Sequence, residues 1–318
     1  MQAVAPARAL GVVLVAALLH VSCGNRTELP QESAGGFVPA SDTYVVKQVW
    51  EGFDGAADIV LTSGSQVFVS FPAAGQVVGY YSTGATPRPN GKVFVGRAPT
   101  RIAEGPDRTL LVADADEDGP VIIVFDQATT DTVRTVRDTS WVEVAGITAD
   151  DAGALYVADR GGNRVRKYDT GGALLLELAD EGDGIGFVRG PTGLDLVPEG
   201  ILVVDTGKGD GGWIQALEPD EAGEAVYFLT GDDSPEGGFA AIADVAGDGD
   251  GNVYVVDRGH ATVLKYDADQ DFDQRVELNA PPGSNGHLAD PVAASANTRR
   301  IYVIDAGDGT IVTFELDQ

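Results

Sequence analysis

The stretch from Ala145 to Asp169 reads A-G-I-T-A-D-D-A-G-A-L-Y-V-A-D-R-G-G-N-R-V-R-K-Y-D, and its reading decides the fold. Ile147 and Ala149 alternate with polar residues, Asp150 to Gly153 is a turn rich in Asp and Gly, and Leu155 to Ala158 is a short apolar run closed by Asp159. Gly161, Gly162 and Asn163 make a second turn before a third strand from Val165 to Tyr168. Strand, turn, strand, turn, strand is the pattern. A three-stranded unit of this size has two open faces and cannot bury a core by itself, so it points to repetition.

The copies are present. An apolar strand ending in Asp recurs as L-L-V-A-D at Asp114, L-Y-V-A-D at Asp159, I-L-V-V-D at Asp205, V-Y-V-V-D at Asp257 and I-Y-V-I-D at Asp305. A sixth copy, Q-V-F-V-S, carries Ser70 at the acidic position. The intervals from Ser70 onward are 44, 45, 46, 52 and 48 residues, close to the roughly 40–45 residues of a four-stranded propeller blade. Flanking motifs repeat too: Pro99-Thr100-Arg101-Ile102, Pro191-Thr192-Gly193-Leu194 and Pro291-Val292-Ala293 upstream, and runs ending at Asp126, Asp169 and Asp267 downstream. Each unit then offers a further β-rich stretch, such as Leu174 to Leu178, Ala225 to Leu229 or Arg275 to Leu278.

The expected fold is therefore all-β, a six-bladed β-propeller. The last unit ends on its third strand, Ile311 to Phe314, while an unmatched run, Thr43 to Trp50, precedes the first unit. That N-terminal strand is expected to close the last blade and lock the ring, which also protects strand edges. The copies resemble NHL repeats, most strongly in Pro191-Thr192-Gly193-Leu194 and from Gly153 to Asp169. The resemblance spans about residues 44 to 318 and implies the propeller fold without implying one function.

Residues 1–22 read as a signal peptide. Arg8 is followed by an apolar run, Ala9 to Leu19, too short to span a bilayer as a mature helix. The exit, Leu19-His20-Val21-Ser22-Cys23, resembles a bacterial lipobox with His20 where leucine is usual, and marks Cys23, the single cysteine, for lipidation. Residues 23–43 then form the lipidated Cys and a polar tether, and 44–318 the propeller. The expected place is the cell envelope, anchored in the outer membrane or facing the periplasm, with plain secretion as the alternative.

A net charge of −28, from 21 basic and 49 acidic residues, lacks the positive balance that phosphate neutralisation needs and excludes nucleic acid as a partner. The membrane would be reached only through the lipid, and the chain is expected to be a monomer. The recurrent Asp at Asp114, Asp159, Asp205, Asp257 and Asp305 reads either as a ring of cation ligands or as a turn device in which each carboxylate accepts N–H bonds from the Gly-rich turn after it. Its presence in nearly every blade favours the second. Arg164 is expected to pair with a blade Asp. Asp248, Asp250 and Asn252 alternate with glycines as oxygen donors do in a calcium loop, or form a hairpin turn before Val253. No cofactor is expected beyond a possible Ca2+.

The least regular residues lie in the loops between second and third strands: Arg160, Lys208, Trp213, Arg258 and His260. With Arg101 and Asp290, at the starts of inner strands, they are candidate ligand-binding residues on one face, for a protein or glycan partner. His260 and His287 alone cannot build a three-histidine zinc site, which separates the chain from the amidating lyases. It has no G-x-S-x-G elbow either. The first expectation is a binding module at the cell envelope; the alternative is a divalent-metal-dependent hydrolase or lactonase of the propeller type.

Overall fold

The computed structural model describes residues 43–209, 211–276 and 286–317. Six antiparallel four-stranded sheets follow one another around a ring, with two single-turn helices, Pro72–Ala74 and Pro106–Arg108, as the helical segments among the described residues. Blades 1 to 5 each run from inner to outer strand in sequence order. Blade 6 is made of Pro291–Ala296, Arg300–Asp305 and Thr310–Leu316, and its fourth strand is Tyr44–Glu51. That strand pairs antiparallel with Thr310–Leu316, from Tyr44 opposite Leu316 to Glu51 opposite Thr310. The N-terminal strand therefore closes the ring, as its lack of a partner in the first unit predicts. In blade 5 the outer strand begins at Phe272 and runs to Arg275 among the described residues, earlier than the expected Arg275–Leu278, of which residues 277–278 lie outside the described residues. The turn from Asp267 to Gln270 is short, and Phe272 pairs with Tyr266 while packing edge-on against its ring.

The apolar runs that end in Asp are second strands, and they are continuous because both their faces are covered. Leu155 and Val157 join the core between blades 2 and 3, whereas Tyr156 and Ala158 join the core between blades 3 and 4. Val253 and Val255 face blade 4, and Tyr254 and Val256 face blade 6. Burial is thus distributed over six interblade layers, and each blade holds its neighbours.

The recurrent Asp ties each blade to the loop that leads into its own inner strand. Asp114 accepts N–H bonds from Arg97 and Ala98, Asp159 from Val142 and Glu143, Asp257 from Ala240 and Ala241, and Asp305 from Ala289 and Asp290, all within 2.7–3.0 Å. Asp205 accepts from Arg189 at 2.9 Å. The turn after the strand also donates, through Gly162, Gly207, Gly259 and Gly307. The structural reading of this motif therefore holds, with a second donor segment that spacing did not reveal. Arg164 adds its Nε to Asp159 at 3.1 Å, as expected.

The inner strands line a central channel and are joined around it by a different set of contacts. The Ile102 N–H donates to Asp58 at 2.7 Å, the Arg101 Nε to the Ala145 carbonyl at 2.8 Å, the Gly247 N–H to Asp195 at 2.8 Å, the Ala294 N–H to Asp244 at 3.2 Å, and the Leu61 N–H to Ser295 Oγ at 2.9 Å. Between blades 3 and 4 the backbones meet directly: a Cβ on Gly146 would lie 2.0 Å from the Thr192 carbonyl oxygen. Gly146→Ala is therefore expected to cost about 2–3 kcal/mol by overpacking. Gly249→Ala, where nothing lies within 4 Å, should stay within about 0.5 kcal/mol. Urea unfolding of the two variants checks this, and equal losses would contradict it.

Candidate functional site

Inner strands all run the same way along the channel, so the ring has an entry face, where they begin, and an opposite face, where they end. Two cavities occupy the channel. The one at the entry face measures about 610 Å³ and the one toward the opposite face about 520 Å³. Arg101 lines both and stands at the waist between them.

The waist is a charge cluster that the sequence reading did not single out beyond Arg101. Arg101 Nη1 lies 3.9 Å from Asp58 and 4.0 Å from Asp244, two carboxylates on inner strands of different blades. Both acids are buried, and both are pushed up from the usual carboxylate range, by burial first and with Arg101 only partly offsetting it. One guanidinium serves two carboxylates, and their mutual repulsion favours retention of a proton. Asp195 stands farther along the channel toward the opposite face. Its oxygens accept from the N–H groups of Leu196 and Gly247, and burial pushes its carboxyl up to about 7. The residues were legible in one respect: each is an acid set in or beside an otherwise apolar inner strand, as in Leu194-Asp195-Leu196. What hid them is that all three inner strands come from separate blades.

The opposite-face cavity is acidic. Glu104, Asp107, Asp150 and Asp151 stand around it with the buried Asp58 and Asp244 and the half-buried Asp195, against Arg101 and Arg108. The entry-face cavity has the contrary character. Small and apolar residues, Ala145, Ala241, Ala243, Val144 and Val292 among them, form its wall, with Thr100, Thr192 and Thr206 as neutral polar groups. Three arginines, Arg101, Arg160 and Arg258, line it together with one acidic residue, Glu143.

Of the candidate residues, Arg101, Arg160 and Arg258 are thus brought to one mouth. Arg160 lies 3.7 Å from Glu143, and Arg258 makes a two-pronged pair with Asp290, Nη2 to Oδ2 at 2.9 Å; both arginine side chains are more than half exposed. The exposed Arg160–Glu143 pair contributes little, so a ligand can compete for that cation at small cost, whereas the two-pronged Arg258–Asp290 pair holds its cation more firmly. Asp290 is thus held with Arg258, and the remaining candidates have partners of their own. Lys208 is buried, with Nζ donating to the Gly184 carbonyl at 2.7 Å and 3.7 Å from Asp205. Trp213 stacks on Phe228, and Nδ1 of His260 sits 2.8 Å from Asp257. Asp248 accepts from the Asp250 and Asn252 N–H groups, the Asn252 amide and the Tyr254 hydroxyl, so its carboxylate is filled from within the hairpin. Cys23 lies outside the described residues.

The propeller fold has counterparts among solved proteins. The chain is similar in fold to a structural-genomics protein of unknown function from Bacteroides thetaiotaomicron, with a TM-score of 0.63 at 14% identity over 83% of this chain and 70% of that one. It is similar to hydrazine synthase from Kuenenia stuttgartiensis, with a TM-score of 0.58 at 15% identity over 89% of this chain and 100% of that one. It is also similar to a catalytically inactive virginiamycin B lyase from Staphylococcus aureus with quinupristin, with a TM-score of 0.55 at 14% identity over 82% and 80%. No protein-family model and no curated protein matches the sequence. At these identities the likeness concerns the propeller fold alone.

Proposed function

We propose that this chain is a ligand-binding module of the bacterial cell envelope, built from NHL-type repeats, secreted by residues 1–22 and held as a monomer through a lipid on Cys23. The ligand enters the entry-face cavity. The single observation that carries this reading is the gathering of Arg101, Arg160 and Arg258 around one cavity of about 610 Å³ in a chain of net charge −28. An overall negative field repels polyanions, so the ligand is a small organic acid, or the acid-bearing tip of a larger partner, with an apolar body against the alanine and valine wall. A concave, largely apolar pocket with a few convergent polar groups is the usual form of such a site.

The alternative of a metal-dependent hydrolase calls for several oxygen or nitrogen ligands converging on one ion. The gathering of Arg101, Arg160 and Arg258 at the entry-face cavity favours the binding reading. The test is a thermal-shift panel of N-acetyl amino acids and glucuronate, each beside its methyl ester. Free acids are expected to raise the melting temperature more than esters, and Arg160→Ala/Arg258→Ala is expected to remove the difference. Equal response to acids and esters, or an unchanged response in the double variant, would contradict the reading.

A further inference from the structure

The loop that joins the outer strand of blade 4, Ala225–Leu229, to the inner strand of blade 5, Ile242–Gly247, contains Asp232-Asp233-Ser234-Pro235-Glu236-Gly237-Gly238. Oxygen-bearing side chains at alternate positions, Asp232, Ser234 and Glu236, followed at once by glycine, have the spacing of the first half of a calcium loop. The glycines meet the sharp turn that such a loop makes, with φ of +72° at Gly237 and +136° at Gly238.

A second, independent observation lies beneath the loop. Three buried oxygens there have no hydrogen-bond partner: Ser234 Oγ, Glu236 Oε2 and the Tyr266 hydroxyl. Ser234 is 7% exposed, the Glu236 side chain 9%, and Tyr266 is fully buried. Buried polar groups without partners are rare, and each calls for an explanation. The neighbouring charges are accounted for. Glu236 Oε1 is ion-paired with Arg275 Nη1 at 3.0 Å, and Asp233 accepts the Phe272 N–H at 3.1 Å, which pins the outer strand of blade 5. Tyr266 feels the carboxylates of Asp233, Glu236, Asp257 and Asp232, which, after burial, hold its hydroxyl proton on. The contrast with Asp248-Gly249-Asp250-Gly251-Asn252 is instructive: there the carboxylate of Asp248 is filled by its own hairpin, whereas in the 232–237 loop oxygens stay open.

We propose that the Asp232–Gly237 loop binds a calcium ion, with Asp232, Ser234 and Glu236 as side-chain ligands. Calcium suits the site better than magnesium, because it accepts irregular oxygen geometry and dehydrates readily. Arg275 on the far oxygen of Glu236 weakens the attraction, so affinity falls in the range of extracellular calcium modules, on the order of 10⁻⁴ M.

The test is calorimetric titration of the purified full chain with calcium chloride, with melting curves in calcium and in chelator. Calcium is expected to raise the melting temperature of the wild type and of Asp250→Asn alike. Glu236→Gln should weaken binding about tenfold or more. Ser234→Ala removes a hydroxyl that bonds nothing in the protein. It should therefore leave melting in chelator unchanged while reducing the calcium response. Absence of a calcium response in the wild type would overturn the proposal. So would a response that survives both Glu236→Gln and Ser234→Ala, or one that Asp250→Asn removes.

Discussion

Replacing Arg101 by methionine is expected to destabilise the propeller by about 3 kcal/mol at pH 8, and by clearly less at pH 5. The variant strands Asp58 and Asp244, two buried carboxylates that share this one guanidinium at 3.9 and 4.0 Å. Removing one partner of a buried ion pair leaves an uncompensated charge, which costs more than the pair contributed. It also removes the Nε bond to the Ala145 carbonyl, the contact that joins blades 2 and 3 at the channel. The pH dependence follows from the sign of the shifts. Asp58, Asp195 and Asp244 are all raised in the folded protein. Between the ordinary aspartate value and about 7 the folded state therefore holds protons that the unfolded chain has released, and wild-type stability falls as pH rises through that window. Without Arg101 the two waist acids rise further, the fall becomes steeper, and protonation at pH 5 relieves part of the damage. Urea unfolding at both pH values, in about 0.15 M salt to screen the surface charge, measures the difference. An equal loss at pH 5 and pH 8 would show that Arg101 acts by packing alone.

Asp305→Ala is expected to cost about 3–5 kcal/mol, because each buried donor left unpaired costs about 1–3 kcal/mol. The fully buried Asp305 carboxylate accepts N–H bonds from Ala289, Asp290 and Gly307 at 2.7, 2.8 and 3.0 Å. These lie in blade 6, the one blade completed by a strand from the other end of the chain, so the loss loosens the closure of the ring. The corresponding position in blade 1 shows what else can hold such a loop. Ser70 Oγ is buried without a partner, and the preceding segment is held instead by the Phe53 N–H on the Gly309 carbonyl at 2.9 Å and by Phe53 packing among Trp50, Phe71 and Tyr80. Ser70→Ala should accordingly remain within about 0.5 kcal/mol. Thermal and urea unfolding of the pair check this; a loss in Ser70→Ala comparable to that in Asp305→Ala would sink the distinction.

The ring was legible because repetition, apolar period and turn residues all agreed. Leu155 to Ala158 announces a strand buried on both faces, and the surplus run at Thr43 to Trp50 announces closure. The outer strand of blade 5 begins at Phe272, ahead of the expected Arg275, because the short turn after Asp267 sets the register. The site was legible only in part. Arg101, Arg160 and Arg258 stand out as irregular cations in an acidic repeat, and they do converge. Lys208, Trp213 and His260 share the same loops, yet local partners such as the Gly184 carbonyl, Phe228 and Asp257 turn them to structural work. The waist acids escaped notice because their meaning comes from closure: Asp58 and Asp244 are 186 residues apart in the chain and become neighbours of one guanidinium only when the ring shuts. The Asp232–Gly237 loop was overlooked for a different reason. Its pattern is no stronger than that at Asp248, and only the unpartnered oxygens beneath it separate the two.

The entry-face mouth as the place of binding is tested most directly by hydrogen–deuterium exchange of the full chain, with and without the acid that gives the largest thermal shift. Protection is expected at the starts of the inner strands and the adjoining loops, at Thr100–Arg101, Glu143–Ala145 and Ala241–Ala243. Protection at Glu104–Arg108 and Asp150–Asp151 instead would place the ligand in the acidic cavity at the opposite face and contradict the assignment.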